Sequence, residues 1–233
     1  MKKKIVFFTG AGISAESGIS TFRDSNGLWE KYDVSEIATH TAWLRNPDLL
    51  TRFYNDLREQ VCRVQPNDAH RLIAQLEDDF DVSVITQNVD NLHERAGSKH
   101  VLHLHGEIMK LCSSRDKEDE RYWQVLEPHQ CHVESGTLAG DGSLLRPYIV
   151  FFEEAVPNYG RALQIASEAD IFVVVGTSLQ VTPASYIPMH VPRESQISLI
   201  DPKPVPSTNH PHELHIQQPA TEGMQQLLKM IQA

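Results

Sequence analysis

Short runs of β-branched and aromatic residues recur along the chain, each stopped by polar residues or glycine. They are Lys4–Phe8, Val82–Thr86, Val101–His105, Ile149–Phe152, Ile171–Val175 and Ile197–Ile200. Continuous apolar runs of this length suit strands buried on both faces of a parallel sheet. Between them the spacing changes to three or four. From Leu50 onward, Phe53, Tyr54, Leu57, Val61 and Val64 form one stripe, which predicts an amphipathic helix. Asn67–Phe80 repeats the pattern through Ala69, Leu72, Ile73 and Leu76, behind a Pro66-Asn67 pair that suits a helix start. Glu222–Gln232 places Met224, Leu227, Leu228 and Ile231 on one side. Such alternation predicts an α/β fold with a doubly wound parallel sheet.

Two stretches break this rhythm. Asp24–Pro47 offers no strand where a simple βαβ unit would place its second one. Ser113–Ser143 is polar and glycine-containing, with Tyr122–Leu126 as its only apolar nucleus. Both read as insertions that build a smaller lobe beside the main sheet. Pro202–Pro211 holds four prolines and must be loop.

Composition narrows the classes. The 233 residues suit one large domain with inserted modules. Lys+Arg number 21 against 31 Asp+Glu, a formal charge of −10, which argues against binding a nucleic-acid backbone. No apolar stretch approaches the ~20 residues that span a bilayer, and Lys2–Phe8 is too short for a signal peptide. Cys62, Cys112 and Cys131 are an odd, widely spaced set, expected to be reduced thiols in a cytoplasmic protein.

Candidate chemistry begins at Gly10-Ala11-Gly12-Ile13-Ser14-Ala15, which follows the first strand and fits G-x-G-x-x-G/A. Glycines there let the backbone turn sharply and approach a pyrophosphate at the next helix N-terminus. A tight strand–helix turn without a ligand reads the same way. The acidic residue that normally confirms the motif is missing, because Glu30 and Asp33 lie on no buried strand. Asp201, ending the run Ile197–Ile200, could bind a ribose hydroxyl instead, implying an altered strand order.

The segment from Gly10 to Arg23, with Gly27-Leu28-Trp29 after it, resembles the nucleotide loop of the sirtuins. Four further motifs follow in the family's order. They are Thr86–His93 with Ala96-Gly97, His103-Leu104-His105-Gly106-Glu107, Arg146-Pro147 with Val150-Phe151-Phe152, and Gly176-Thr177-Ser178. The resemblance implies a Rossmann-like fold with a smaller inserted lobe. A large lobe of residues 1–23, 66–110 and 146–233 would carry NAD, and 24–65 with 111–145 would form the small lobe. It also implies cleavage of the nicotinamide–ribose bond of NAD and transfer of ADP-ribose to the acyl oxygen of a modified lysine. Water would complete the reaction, giving nicotinamide, free lysine and O-acyl-ADP-ribose.

By this resemblance His105 is the general base that deprotonates a ribose hydroxyl, a role suited to imidazole near neutral pH. His103 keeps a structural reading, on the same strand face as His105. Asn88 and Asp90 join His105 in the catalytic set, and with Gln87 they contact ribose and nicotinamide. The plainer alternative for these three residues is an Asx-type turn capping the next helix, which Asn88 could make alongside a ligand contact. The NAD-contacting set also takes in Gly10, Ala11, Gly12, Ala15, Glu16, Thr21, Phe22, Arg23 and Trp29. On the adenosine side it takes in Gly176, Thr177, Ser178, Asp201, Pro202, Lys203 and Ala220. Val150, Phe151 and Phe152 are expected to bind an acyl-lysine protein or peptide added as an extra strand.

Three departures qualify this. Glu153-Glu154 stands where the family usually has Gly-Glu. The small lobe holds Cys112 and Cys131 where two Cys-x-x-Cys pairs usually bind zinc, so zinc is not expected; Cys112 with His129, Cys131 and His132 is the remaining conceivable set. Tyr54 resembles the tyrosine of a succinyl- and malonyl-removing branch, but Leu57 occupies its arginine position and Arg58 lies one residue on. Either Arg58 reaches in, or neutral acyl groups are preferred; deacetylation is the favoured reading. Mono-ADP-ribosyl transfer and a non-catalytic NAD sensor remain the rival functions.

Overall fold

The computed structural model describes residues 2–21 and 32–231. Nine strands and eight helices are assigned among them. The strands are β1 (Lys4–Thr9), β2 (Asp81–Thr86), β3 (Val101–His103), β4 (Gly106–Ser113), β5 (Gln124–Val125), β6 (Leu145–Ile149), β7 (Ile171–Val175), β8 (Gln196–Ile200) and β9 (Glu213–Ile216). The helices are α1 (Gly12–Ala15), α2 (Val34–Ile37), α3 (His40–Arg45), α4 (Pro47–Arg63), α5 (Asp68–Gln75), α6 (Leu92–Ala96), α7 (Tyr159–Ser167) and α8 (Ala220–Ile231).

Six strands form one parallel sheet in the order β3-β2-β1-β7-β8-β9. Its central strands β1 and β7 are largely apolar because both faces are covered, and their period of two divides the core. Ile5, Phe7, Val173 and Val175 point into a cluster with α5 and α8, through Ile73, Met224 and Leu227. Val6, Phe8, Phe172 and Val174 point the other way, onto Ala162 and Ala166 of α7. This is the expected doubly wound α/β architecture. Strand order reverses between β1 and β7, and in open α/β sheets ligands collect at the carboxyl ends of strands at that point.

A second, antiparallel sheet, β5-β4-β6, stands beside the first. It packs with α4, whose buried stripe of Leu50, Phe53, Leu57 and Val61 meets Ile108, Ile149 and Phe151. Asn46 caps α4 by accepting from Leu49 N, and Pro47 occupies its first turn. No described helix is long and apolar enough to cross a membrane.

Several expectations need correction. The run Val101–His105 does not continue as one strand. β3 stops at His103 and β4 begins at Gly106, so His105 sits on the corner between the two sheets. Gly106 explains the corner: its φ is +86°, and a Cβ there would lie 2.0 Å from the Tyr148 carbonyl oxygen. The run Ile149–Phe152 leaves its strand at Ile149, because Phe151 turns into the core and Phe152 bridges to Thr39. β9 and α7 gave no clear periodic signal, and Asn67–Phe80 divides into α5 and a 3-10 turn, Leu76–Asp78.

Candidate active site

The loops that follow β1 and β7 meet back to back at the point of strand reversal. Gly10 N donates to Val175 O at 3.0 Å and Gly12 N to Gly176 O at 2.8 Å. A Cβ on Gly12 would lie 2.6 Å from Gly176 Cα. These glycines therefore let two backbones touch, a constraint beyond any approach to a phosphate.

The segment after β2 closes over this junction. Asn88 is buried, and its Nδ2 donates to Gly10 O at 3.2 Å and to Ser14 Oγ at 3.1 Å. Ser14 Oγ donates to Asp90 Oδ2 at 3.0 Å, and Leu92 N donates to Asp90 Oδ1 at 3.1 Å. The Asx-type turn expected within Gln87–Asp90 is made by Asp90, ahead of α6. Burial raises the Asp90 carboxyl, against the pull of those two donors. Ser14 went unnamed among the expected contacts although it lies inside the glycine motif; its position four residues after Gly10 on α1 is the signal that could have found it.

His105 Nδ1 lies 3.0 Å from the backbone carbonyl of Gln87. A carbonyl only accepts, so Nδ1 carries the proton and the neutral ring presents its Nε2 lone pair elsewhere. Burial lowers the His105 pKa, opposed by that carbonyl bond. Gln87 is itself fixed, its N donating to Thr9 O at 2.9 Å and its Nε2 to Thr177 Oγ1 at 3.0 Å. His103 is differently held, with Nδ1 on Asn88 O at 2.9 Å and Nε2 on Glu94 Oε1 at 2.7 Å. Burial works against its charge, but the Glu94 carboxylate prevails and raises its pKa.

Other expected residues are scattered around this centre. Ala11 precedes α1 and Ala15 is its last residue, and Thr21 ends the described part of the loop. Phe22, Arg23 and Trp29 lie outside the described residues. Glu16 accepts from Thr221 N at 2.8 Å, so its carboxylate caps α8, whose first residue, Ala220, is buried in the core. Thr177 is buried and Ser178 half-buried after β7. Asp201 and Lys203 line a cavity at the ends of β8 and β9 with Pro204, Val205 and His215, while Pro202 O accepts from Gln217 Nε2 at 3.4 Å. Burial raises the Asp201 carboxyl.

At the acyl-lysine end, Val150 N donates to His105 O at 2.9 Å, tying that segment to the histidine corner. Phe151 is buried against Trp43 and Tyr54, under the Arg146 guanidinium at 3.9 Å. Phe152 remains 45% exposed. Arg146 pairs with Glu154 at 2.7 Å, and Glu154 also accepts from Phe151 N at 3.0 Å. Glu153 adopts φ +77° and turns its carboxylate onto Thr41 N at 2.9 Å and Thr41 Oγ1 at 2.7 Å. Tyr54 and Arg58 flank a small recess lined also by Asn55, Leu145 and Arg146. Arg58 is buried, with Nε donating to Ile108 O at 2.9 Å and Nη1 to Asn55 Oδ1 at 2.7 Å and Cys131 O at 3.3 Å.

Residues 10–183 match the Sir2 family. The chain belongs to that family. An NAD-dependent protein deacylase of Bacteroides thetaiotaomicron is 51% identical over 230 residues, covering 98% of each chain. Among solved sirtuin structures, a Sir2 homolog–NAD complex has a TM-score of 0.86 at 36% identity, covering 99% of this chain and 90% of that one. A Sir2 mutant with deacetylated p53 peptide and 3'-O-acetyl ADP-ribose has a TM-score of 0.83 at 29% identity, covering 98% and 94%.

Proposed function

We propose that this sirtuin is an NAD-dependent protein lysine deacylase in which His105 is the general base. The observation that carries the assignment is the His105–Gln87 carbonyl bond, which fixes the tautomer and leaves Nε2 as the free base on the corner between the two sheets. NAD supplies the ADP-ribose that accepts the acyl group, with nicotinamide as leaving group. His105 takes a proton from a ribose hydroxyl, and its lowered pKa keeps it neutral for that task. Asn88 and Asp90, held by Ser14, present an amide and a carboxylate where the ribose and its developing positive charge would lie. The Gly10–Gly12 loop receives the pyrophosphate, and the cavity beside Asp201 and Lys203 suits the adenosine end. Acyl-lysine peptides bind along Val150–Phe152, whose main chain leads from His105 to residues 38–40.

Neutral acyl groups are the preferred substrates, acetyl foremost. Arg58 is buried and commits Nε and Nη1 to three protein acceptors, which favours a structural role over reading a succinyl carboxylate.

Among the described residues of the small lobe, no group of histidine, cysteine and carboxylate side chains gathers as a metal site would require. Cys112 is buried in β4 with Sγ directed at Pro147 O, while Cys131 lies against Cys62 and His132 against Asn55, so the residues present do not fit a tetrahedral set. Two other devices support the lobe. Lys110 lies over Trp123 at 4.4 Å and Tyr148 at 5.0 Å, and Asp141 gathers the hydroxyls of Ser113 and Ser143 at 2.7 Å each.

The test is incubation with NAD and acetyl-, longer-acyl- and succinyl-lysine peptides, with products resolved by mass. O-acyl-ADP-ribose from the native protein and none from His105→Ala supports the proposal. ADP-ribose added to protein, or NAD binding without nicotinamide release, overturns it in favour of the transferase or the sensor.

A further inference from the structure

The segment around Cys131 is docked on one face of α4. Asn55 holds both main-chain groups of Val133, donating from Nδ2 to its carbonyl at 2.8 Å and accepting from its N–H at 3.0 Å. One turn on, Arg58 Nη1 donates to the Cys131 carbonyl at 3.3 Å. Cys62 is four residues further along the same face, since i, i+3 and i+7 align on a helix. Its own position is pinned from behind. Arg95 donates to Val61 O at 3.0 Å and Val64 O at 2.5 Å, bracketing Cys62 at the end of α4. Cys62 and Cys131 are neighbours, both free and both partly buried, and the Cys131 thiol donates to Pro128 O at 3.7 Å.

From this arrangement we infer that Cys62 and Cys131 are a redox pair, forming a reversible intramolecular disulfide that fastens the 131–133 segment to α4. The proposal concerns the fold and does not depend on the deacylase reading. The oxidant is a peroxide. One thiolate attacks the O–O bond and becomes a sulfenic acid, releasing water. The second thiol displaces hydroxide from that sulfur, leaving the S–S bond and a second water. Two thiol hydrogens and two electrons thus pass to the peroxide. Burial, followed by the neighbouring Cys131, pushes the Cys62 thiol up to about 11, which suits Cys62 to the resolving role. Cys112 takes no part, being buried in β4 and pushed up to about 12.

The full chain would be treated with hydrogen peroxide, its thiols counted and its peptides mapped by mass. The expected result is loss of two of the three thiols and a cross-linked peptide joining Cys62 to Cys131 within one chain. Closing a loop of about 70 residues should raise Tm by at least about 3 °C, reversed by dithiothreitol. The Cys112→Ser variant should keep the cross-link and both Cys62→Ser and Cys131→Ser should lose it and the Tm rise. Three titratable thiols after treatment, a link between two chains, a link through Cys112, or an unchanged Tm after oxidation would each overturn the inference.

Discussion

Replacing Arg58 by methionine separates a structural role from a substrate-reading one. Methionine keeps the unbranched stem on α4 and removes the guanidinium. The Ile108 carbonyl and Asn55 Oδ1 then lose charged donors at 2.9 and 2.7 Å, while the 3.3 Å contact to Cys131 O is weak. Two hydrogen bonds to a charged group contribute about 1.5–3 kcal/mol each. Against that loss stands the cost of burying the guanidinium, large enough to pull its pKa down to about 10. The net destabilisation should be about 2–4 kcal/mol, or a fall of about 5–15 °C in Tm for a chain of this size. The ratio of kcat/KM for acetyl- and succinyl-lysine peptides should change by less than about threefold, under 1 kcal/mol of discrimination. Thermal melts and competing-peptide assays give the two readouts. A Tm shift below about 2 °C together with a tenfold loss of succinyl turnover relative to acetyl would refute the reasoning and make Arg58 an acyl reader.

Four further outcomes are expected. His105→Ala should lower deacylation at least ~10²-fold while NAD still raises Tm, with nicotinamide release as the assay. In the native protein the acid limb of kcat/KM should fall below pH 6.5, because the lowered His105 pKa keeps the ring neutral until the pH drops through that value; a limb above 6.5 would contradict burial as the dominant influence. Gly106→Ala must place a Cβ against the Tyr148 carbonyl at a φ of +86°, and should cost at least about 2 kcal/mol by urea unfolding along with activity. Asp141 has its pKa pulled down to about 2 by the Ser113 and Ser143 hydroxyls, so its contribution is full above about pH 4 and lost as pH falls toward 2; Asp141→Asn should therefore lower the native Tm at pH 6 and converge with it in acid.

What was legible in the sequence follows from which forces are local. The parallel strands and α4 could be read because burial on both faces, or on one stripe, writes a period directly into the residues. The five ordered motifs gave the family because glycines such as Gly10 and Gly12 are demanded by backbone contact. The small sheet was harder, since β4 and β6 are antiparallel neighbours separated by a polar insertion, and their pairing is set by tertiary contact. His105 illustrates the limit most clearly. Its identity as the base was readable from the motif, but strand periodicity put it beside His103 on one face, whereas Gly106 turns the chain and gives the two rings different carbonyls. The same holds at Glu153. The sequence marks it only as a departure from the family's Gly-Glu, whereas the fold turns its carboxylate onto the start of α3. A left-handed residue and a helix cap oppose each other there, one costing stability and the other contributing it. Their balance is testable by order alone. Glu153→Gln keeps the strain and weakens the cap, so it should melt below Glu153→Gly, which releases the strain as it loses the cap; the reverse order would mean that the Thr41 contacts hold this segment by themselves.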